Sequence, residues 1–170
     1  MFSLWRHEMT KEAECFADML TNNKGTANGL LELGKKLLGQ SEYSLAAILK
    51  LLDDQVLPPV NKEWADKLIA ELKEDLQSKL GENGVLLFPS APSPAPYHYS
   101  AFLRPYNFAY WGILNVLRMP AVQVPLGQCS TGVCAGIQVC AAPHRDALCI
   151  KVADNLEKTF GGFTPPCEIY

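Results

Sequence analysis

The sequence predicts a mixed α/β fold: a helical N-terminal half over 1–80, a few strands and a proline-rich loop over 85–145, and a terminal helix over 146–160. Three observations carry this expectation. Apolar residues recur every four positions from Trp64 through Leu68, Leu72 and Leu76 to Leu80, the spacing of one helix face. Three short apolar runs, Val85–Phe88, Ala121–Val124 and Gly136–Cys140, are bounded by proline or glycine and have the length of buried strands. A last apolar face of Leu148, Val152, Ala153 and Leu156 begins after Asp146 and stops at Gly161-Gly162. The whole of 1–170 is expected to be part of one domain.

Each element has its own local reason. Thr10 is expected to cap a helix running to about Leu20, with Ala13, Phe16, Ala17 and Leu20 on one face. Asn22-Asn23-Lys24-Gly25 breaks it. Leu30, Leu31, Leu33, Leu37 and Leu38 suggest a second helix that stops near Gly39. Ser41 is expected to cap a third, with Leu45, Ile48, Leu49, Leu52 and Val56 at helical spacing, and Pro58-Pro59 ends it. The fourth runs from Lys62 to Leu80, with Glu63, Asp66, Lys67, Lys73 and Glu74 opposite the apolar stripe and Gly81 as its stop. The stripe drifts from a strict heptad, so packing against a sheet is expected rather than a coiled-coil seam. Five prolines between Pro89 and Pro105 suggest a rigid surface linker or a loop crossing a sheet edge. Residues Asn107 to Leu117 are apolar on every side and read as a buried helix or one that needs a partner surface. Pro125 is expected to close the second strand, Gly127 to Gly132 to form a turn, and Asp146 to cap the last helix.

Composition excludes several functions. Hydrophobic residues make up 48% of 170 and charged residues 19%, enough to bury a core and unlike a disordered chain. The net charge is −3 and no block of five basic residues occurs, which argues against nucleic acid or an anionic membrane as partner. Met1 to Glu8 has no apolar core of a signal peptide, and no stretch reaches the roughly 18 apolar residues a transmembrane helix needs. The expected location is intracellular, cytoplasmic or membrane-associated. Cys15, Cys129, Cys134, Cys140, Cys149 and Cys167 match no CxxC zinc spacing, and Cys134 and Cys140 lie in a strand-like run. Reduced, structural thiols are expected, which fits the same compartment.

Hydrolysis through a serine or cysteine requires a base beside the nucleophile and amide donors for the oxyanion. No G-x-S-x-G elbow and no Ser-x-x-Lys pair is present. Ser90 and Ser93 sit among prolines, and Ser130-Thr131-Gly132 is ordinary turn chemistry. His144 and Asp146 suggest an acid–base pair, against which a helix cap and a solvated loop residue is the plainer reading. His7, His98 and His144 are far apart in sequence, and no phosphate-cradling loop occurs. The expectation is therefore no catalytic residue, no metal and no cofactor within these residues.

Four stretches in order carry a family resemblance. Leu87-Phe88-Pro89-Ser90-Ala91-Pro92 resembles the strand-to-loop segment of the amidase-signature family that ends in Pro-Thr-x-Pro. Met119-Pro120-Ala121-Val122-Gln123-Val124-Pro125-Leu126-Gly127 is similar to its Leu-Pro-Ala strand. Gly132-Val133-Cys134-Ala135-Gly136-Ile137-Gln138-Val139 is similar to its Gly-Leu-Pro-x-Gly-Leu-Gln strand, and Asp146 to Lys158 to its terminal helix. Cys134 replaces a proline and Ser90 a threonine of the family pattern. Within that family, Arg104 to Tyr110 and Leu156 to Gly162 resemble the fatty-acid amide hydrolase branch, most of all its second type. Trp5, Glu14-Cys15-Phe16-Ala17 and Leu31-Glu32-Leu33 resemble it more loosely.

The resemblance implies the C-terminal part of an amidase-signature domain. In that family the lysine, bridging serine and nucleophilic serine lie upstream, in a Gly/Ser-rich segment without a counterpart here, as does the branch's membrane anchor. The complete enzyme would hydrolyse fatty-acid amides through a serine acyl-enzyme, and this chain alone is expected to be inactive. Tyr106, Phe108 and Tyr110 are candidates to line an acyl-chain pocket, with core packing as the plainer role. The alternative is a non-catalytic interaction protein that associates with itself or a full-length relative through apolar surface. A lipid-surface module using 43–57 and 107–117 ranks last, because neither segment has the Lys/Arg-rich polar face of an interfacial helix.

Overall fold

A computed structural model describes residues 1–11 and 16–165, without the side chain of Phe102. They form two compact units, one comprising Met1–Arg6 with the chain from Lys62 onward, the other His7–Asn61.

The smaller unit is helical, with α2 (Phe16–Met19), α3 (Gly29–Leu37) and α4 (Leu45–Val56). Its buried centre is Ala17, Ala27 and Leu51, packed by Phe16, Leu20 and Tyr43. The Oδ1 of Asn28 caps α3 by accepting from the Leu31 N–H at 3.0 Å. Gln55 ties α4 to the start of α3: its Nε2 donates to the Ala27 carbonyl and its Oε1 accepts from the Gly29 N–H, each at 2.8 Å. The side of α3 turned inward carries Gly29 and Glu32, while Leu30, Leu31, Leu37 and Leu38 are exposed. Gly29 explains this choice, because a Cβ there would lie 3.0 Å from the Leu52 backbone nitrogen.

One expected cap is corrected here. Ser44, not Ser41, caps α4, its Oγ accepting from the Ala47 N–H at 3.2 Å. Ser41 instead donates to the Glu32 carboxylate at 2.7 Å, beside the Lys35 ammonium, also at 2.7 Å. Those bonds, the lysine's first, hold the Glu32 carboxyl below the usual carboxylate range, so they weaken as pH falls. The Thr10 hydroxyl donates to the His7 carbonyl at 2.8 Å, at the end of α1 (Phe2–Met9), a helix that the sequence reading did not foresee. Residues 12–15 of the helix expected over 10–20, and with them Glu14 and Cys15, lie outside the described residues.

The larger unit contains α5 (Lys62–Leu80), β1 (Val85–Phe88), a 3-10 turn (Ser100–Leu103), α6 (Ala109–Leu117), β2 (Ala121–Gln128), β3 (Cys134–Ala141) and α7 (Asp146–Phe160). Gly81 (φ 56°) and Gly161 (φ 87°) end α5 and α7 in the left-handed conformation that glycine adopts without a Cβ penalty. The three strands form an antiparallel sheet in the order β1-β3-β2. Val139 pairs with Leu87 on one side and Val122 on the other. With Val124 and Ala153 it forms a core completed by Val85, Leu126, Ile137, Val152 and Leu156, so α7 covers this face.

Three further expectations shift. β2 runs through Pro125 to Gln128, with an irregularity between them. An edge strand tolerates proline because the missing N–H can point away from the ladder. Asp146 is the first residue of α7 rather than its cap; Arg145 holds the cap position and makes no side-chain cap bond. The packed face of the sheet is taken by α7, and α5 lies against α6.

Gly136 sits on the opposite sheet face, where a Cβ would lie 2.4 Å from Gln123 Nε2 and 2.5 Å from the Val124 carbonyl oxygen. The backbone oxygen cannot move away without breaking the ladder. Gly136→Ala should therefore destabilise the sheet by about 1–3 kcal/mol, read as a lower denaturant midpoint at unchanged slope.

Candidate functional site

The aromatic residues singled out by sequence separate into two groups. α6 is buried at Ala109, Gly112, Ile113, Leu114, Val116 and Leu117, so its approach segment sets the aromatic rings at the margin of this core. Tyr106, 54% exposed, lies with its ring 4.3 Å from that of Phe2. Phe108 meets Trp5 edge to face at 4.6 Å, Phe2 at 5.9 Å and Trp111 at 5.6 Å. Gly112 allows the close approach, since a Cβ there would be 3.1 Å from Trp5 Cδ1. Tyr110 stands apart, 6.0 Å from Phe88 of β1. The sequence reading missed Phe2 and Trp111 as members of this surface; the i, i+3 spacing of Phe2 and Trp5 was the available signal.

Several serines are engaged in structural bonds. Ser90 donates to Oε1 of Gln123, and Gln138 Nε2 donates to the Pro89 carbonyl at 3.1 Å, which pins the start of the proline-rich loop to the sheet. Gln123 and Gln138 face each other across β2 and β3, so the buried amide of Gln138 is satisfied by the loop it holds. Ser78 and Ser100 donate to backbone carbonyls one turn back.

His144 and Asp146 lie on one open cleft of about 450 Å³, together with Lys73, Arg118, Met119, Pro120 and Pro143. Arg118 (φ 53°) and His144 (φ 65°) both hold the left-handed backbone that non-glycine residues seldom adopt. Arg118 ends α6 there, with its N–H bonded to the Asn115 and Leu114 carbonyls.

Cys129, Cys134, Cys140 and Cys149 are free thiols, and Cys15 and Cys167 lie outside the described residues. Burial pushes the Cys140 thiol up to about 11, with the neighbouring Cys149 adding to the effect. Burial also raises Cys149, whose Sγ donates to the Pro120 carbonyl at 3.6 Å. Cys129 is lowered by its bond to the Thr131 hydroxyl at 2.9 Å, aided by the Thr131 and Val133 backbone. At pH 8, iodoacetamide should alkylate Cys129 first and reach Cys140 and Cys149 only as the chain opens; Thr131→Ala should slow the first step. Folding raises the Cys140 pKa, so its contribution to stability is complete below about pH 9 and is lost as pH rises toward 11.

No family model and no solved structure matches the chain. Curated proteins do. The chain is 40% identical to fatty-acid amide hydrolase 2 of Homo sapiens, over 97% of its own length and 32% of the relative's. It is 36% identical to fatty-acid amide hydrolase 2-B of Danio rerio, over 92% of its length and 30% of the relative's. Over 60% of its length it is 31% identical to a glutamyl-tRNA(Gln) amidotransferase component of Fusobacterium nucleatum, covering 21% of that protein. A mixed α/β sheet layer with these matches defines an amidase-signature protein. More narrowly, the chain belongs to the fatty-acid amide hydrolase branch of that family, to whose second type it corresponds as a C-terminal part. It spans about a third of the length of the fatty-acid amide hydrolases it matches. No helix among the described residues is long and apolar enough to cross a membrane.

Proposed function

We propose that this chain supplies the C-terminal sheet, its covering helix and part of the acyl-chain surface of an enzyme that hydrolyses fatty-acid amides. The observation that carries this reading is the match to human fatty-acid amide hydrolase 2 across 97% of the chain. In this reading the serine that forms the acyl-enzyme, and the groups that activate it, come from polypeptide other than these residues. Tyr106, Phe108 and Tyr110 contribute apolar wall to the acyl chain. The exposure of Tyr106 and the approach of Phe108 to Trp5 and Phe2 support such a wall, because an aromatic surface accepts an alkyl chain without leaving polar groups unpaired.

The test is a chimera in which residues 85–163 replace their counterpart in human fatty-acid amide hydrolase 2. The chimera should hydrolyse oleamide, and Tyr106→Ala with Phe108→Ala should raise KM more than they lower kcat. A folded chimera without turnover would overturn the proposal. A KM unmoved by both substitutions would remove the aromatic residues from it and leave the rest.

A second reading, a non-catalytic interaction protein, draws on the two sheet edges. Among the described residues β1 and β2 each pair on one side alone, and Leu87 of β1 is exposed. Edge strands of this kind recruit further strands. A monomer at all concentrations in sedimentation would count against it.

A further inference from the structure

Lys73 of α5, Arg118 at the end of α6, and His144 and Asp146 at the start of α7 come from three separate helices, yet they line the same cleft. On α5, Lys67 reaches Glu71 and Lys79 reaches Asp75, whereas Lys62 and Lys73, like Arg118 at the end of α6, make no ion pair with another described residue. The neighbouring Arg145 is turned to Glu82, at 3.3 Å. The remaining wall is apolar: Met119, which is buried, with Pro120 and Pro143, whose side chains carry no donor.

Charge and lining together select a ligand. The two cations against the single carboxylate of Asp146 leave one positive charge, which a monoanion balances and a phosphate dianion overshoots. The apolar wall favours an alkyl group beside that head. A volume of about 450 Å³ lies within the ~300–1,000 Å³ typical of small-molecule sites. We propose that this cleft binds an alkyl carboxylate, its head held by Lys73 and Arg118 and its chain laid along Met119, Pro120 and Pro143. The proposal rests on the cleft alone and is independent of the hydrolase reading.

The test uses the full 170-residue chain and titrates it, by calorimetry and by the proton resonances of the Met119 methyl and the His144 ring, with three probes: decanoate below its micellar concentration, decanol and inorganic phosphate. Decanoate should bind saturably, one per chain, shift both resonances and bind more tightly than either other probe. Lys73→Gln and Arg118→Gln should each weaken it about ten- to a hundredfold, the loss expected for a charge-assisted bond. Lys79→Gln, on the same helix but paired with Asp75, should change nothing. Equal binding of decanol would overturn the role of the cations. Tighter binding of phosphate would overturn the alkyl ligand. Absence of binding, or binding untouched by both substitutions in chains with unchanged circular dichroism, would overturn the site.

Discussion

Val139→Asp should abolish cooperative unfolding of the larger unit. Val139 is fully buried at the centre of β3, between Leu87 and Val122 and under Ala153 of α7. No cation belongs to that cluster, so an aspartate there must either ionise without a partner or remain protonated at neutral pH. The cost of an unpaired buried carboxylate is several kcal/mol. The total stability of an ordinary domain is only about 5–15 kcal/mol. The expected signature is loss of near-ultraviolet circular dichroism and of amide protection in β2, β3 and α7 together. Retention of a cooperative transition within about 1 kcal/mol of the parent would show that this face is not the core.

The second large effect concerns the smaller unit. Leu51→Ala removes a fully buried side chain from a centre whose other buried members are alanines, Ala17 and Ala27. Alanines cannot collapse into the space, so the loss should fall near the upper end of the roughly 2–5 kcal/mol range for such changes. Amides of α3 and α4 should lose protection, because Gln55 fastens the two helices through Ala27 and Gly29 just beside Leu51. An effect below about 1 kcal/mol would mean that the α4 face carrying Leu51 is not packed as described.

What was legible in the sequence was periodicity and punctuation. The limits of α5 follow from the four-residue leucine spacing and from Gly81, and β1 from a run of four apolar residues before Pro89. Caps were less legible, because Ser41 and Ser44 have the same chemistry and the choice between them depends on Glu32, which claims Ser41. The extension of β2 past Pro125 depends on its place at an edge, a property of the sheet order and not of the local residues. α1 was missed because its aromatic residues pack against Phe108 and Tyr106, about a hundred positions away. The cleft lined by Lys73, Arg118 and His144 was equally invisible, since no spacing in the chain relates residues brought together by three separate elements. The family resemblance was legible in order and motif, and the curated relatives bear it out. Tyr106, Phe108 and Tyr110 were named by that resemblance, and only the first two share a cluster.

These residues belong to the fatty-acid amide hydrolase branch of the amidase-signature family and correspond to its C-terminal part, and the proposal assigns the bond-breaking chemistry to polypeptide outside them. That division of labour is tested by release of oleic acid from oleamide by the purified, folded 170-residue chain. The rate should equal that of buffer, with no serine labelled by a fluorophosphonate probe. Steady turnover that disappears when one serine of this chain, such as Ser90, is changed to alanine would refute it.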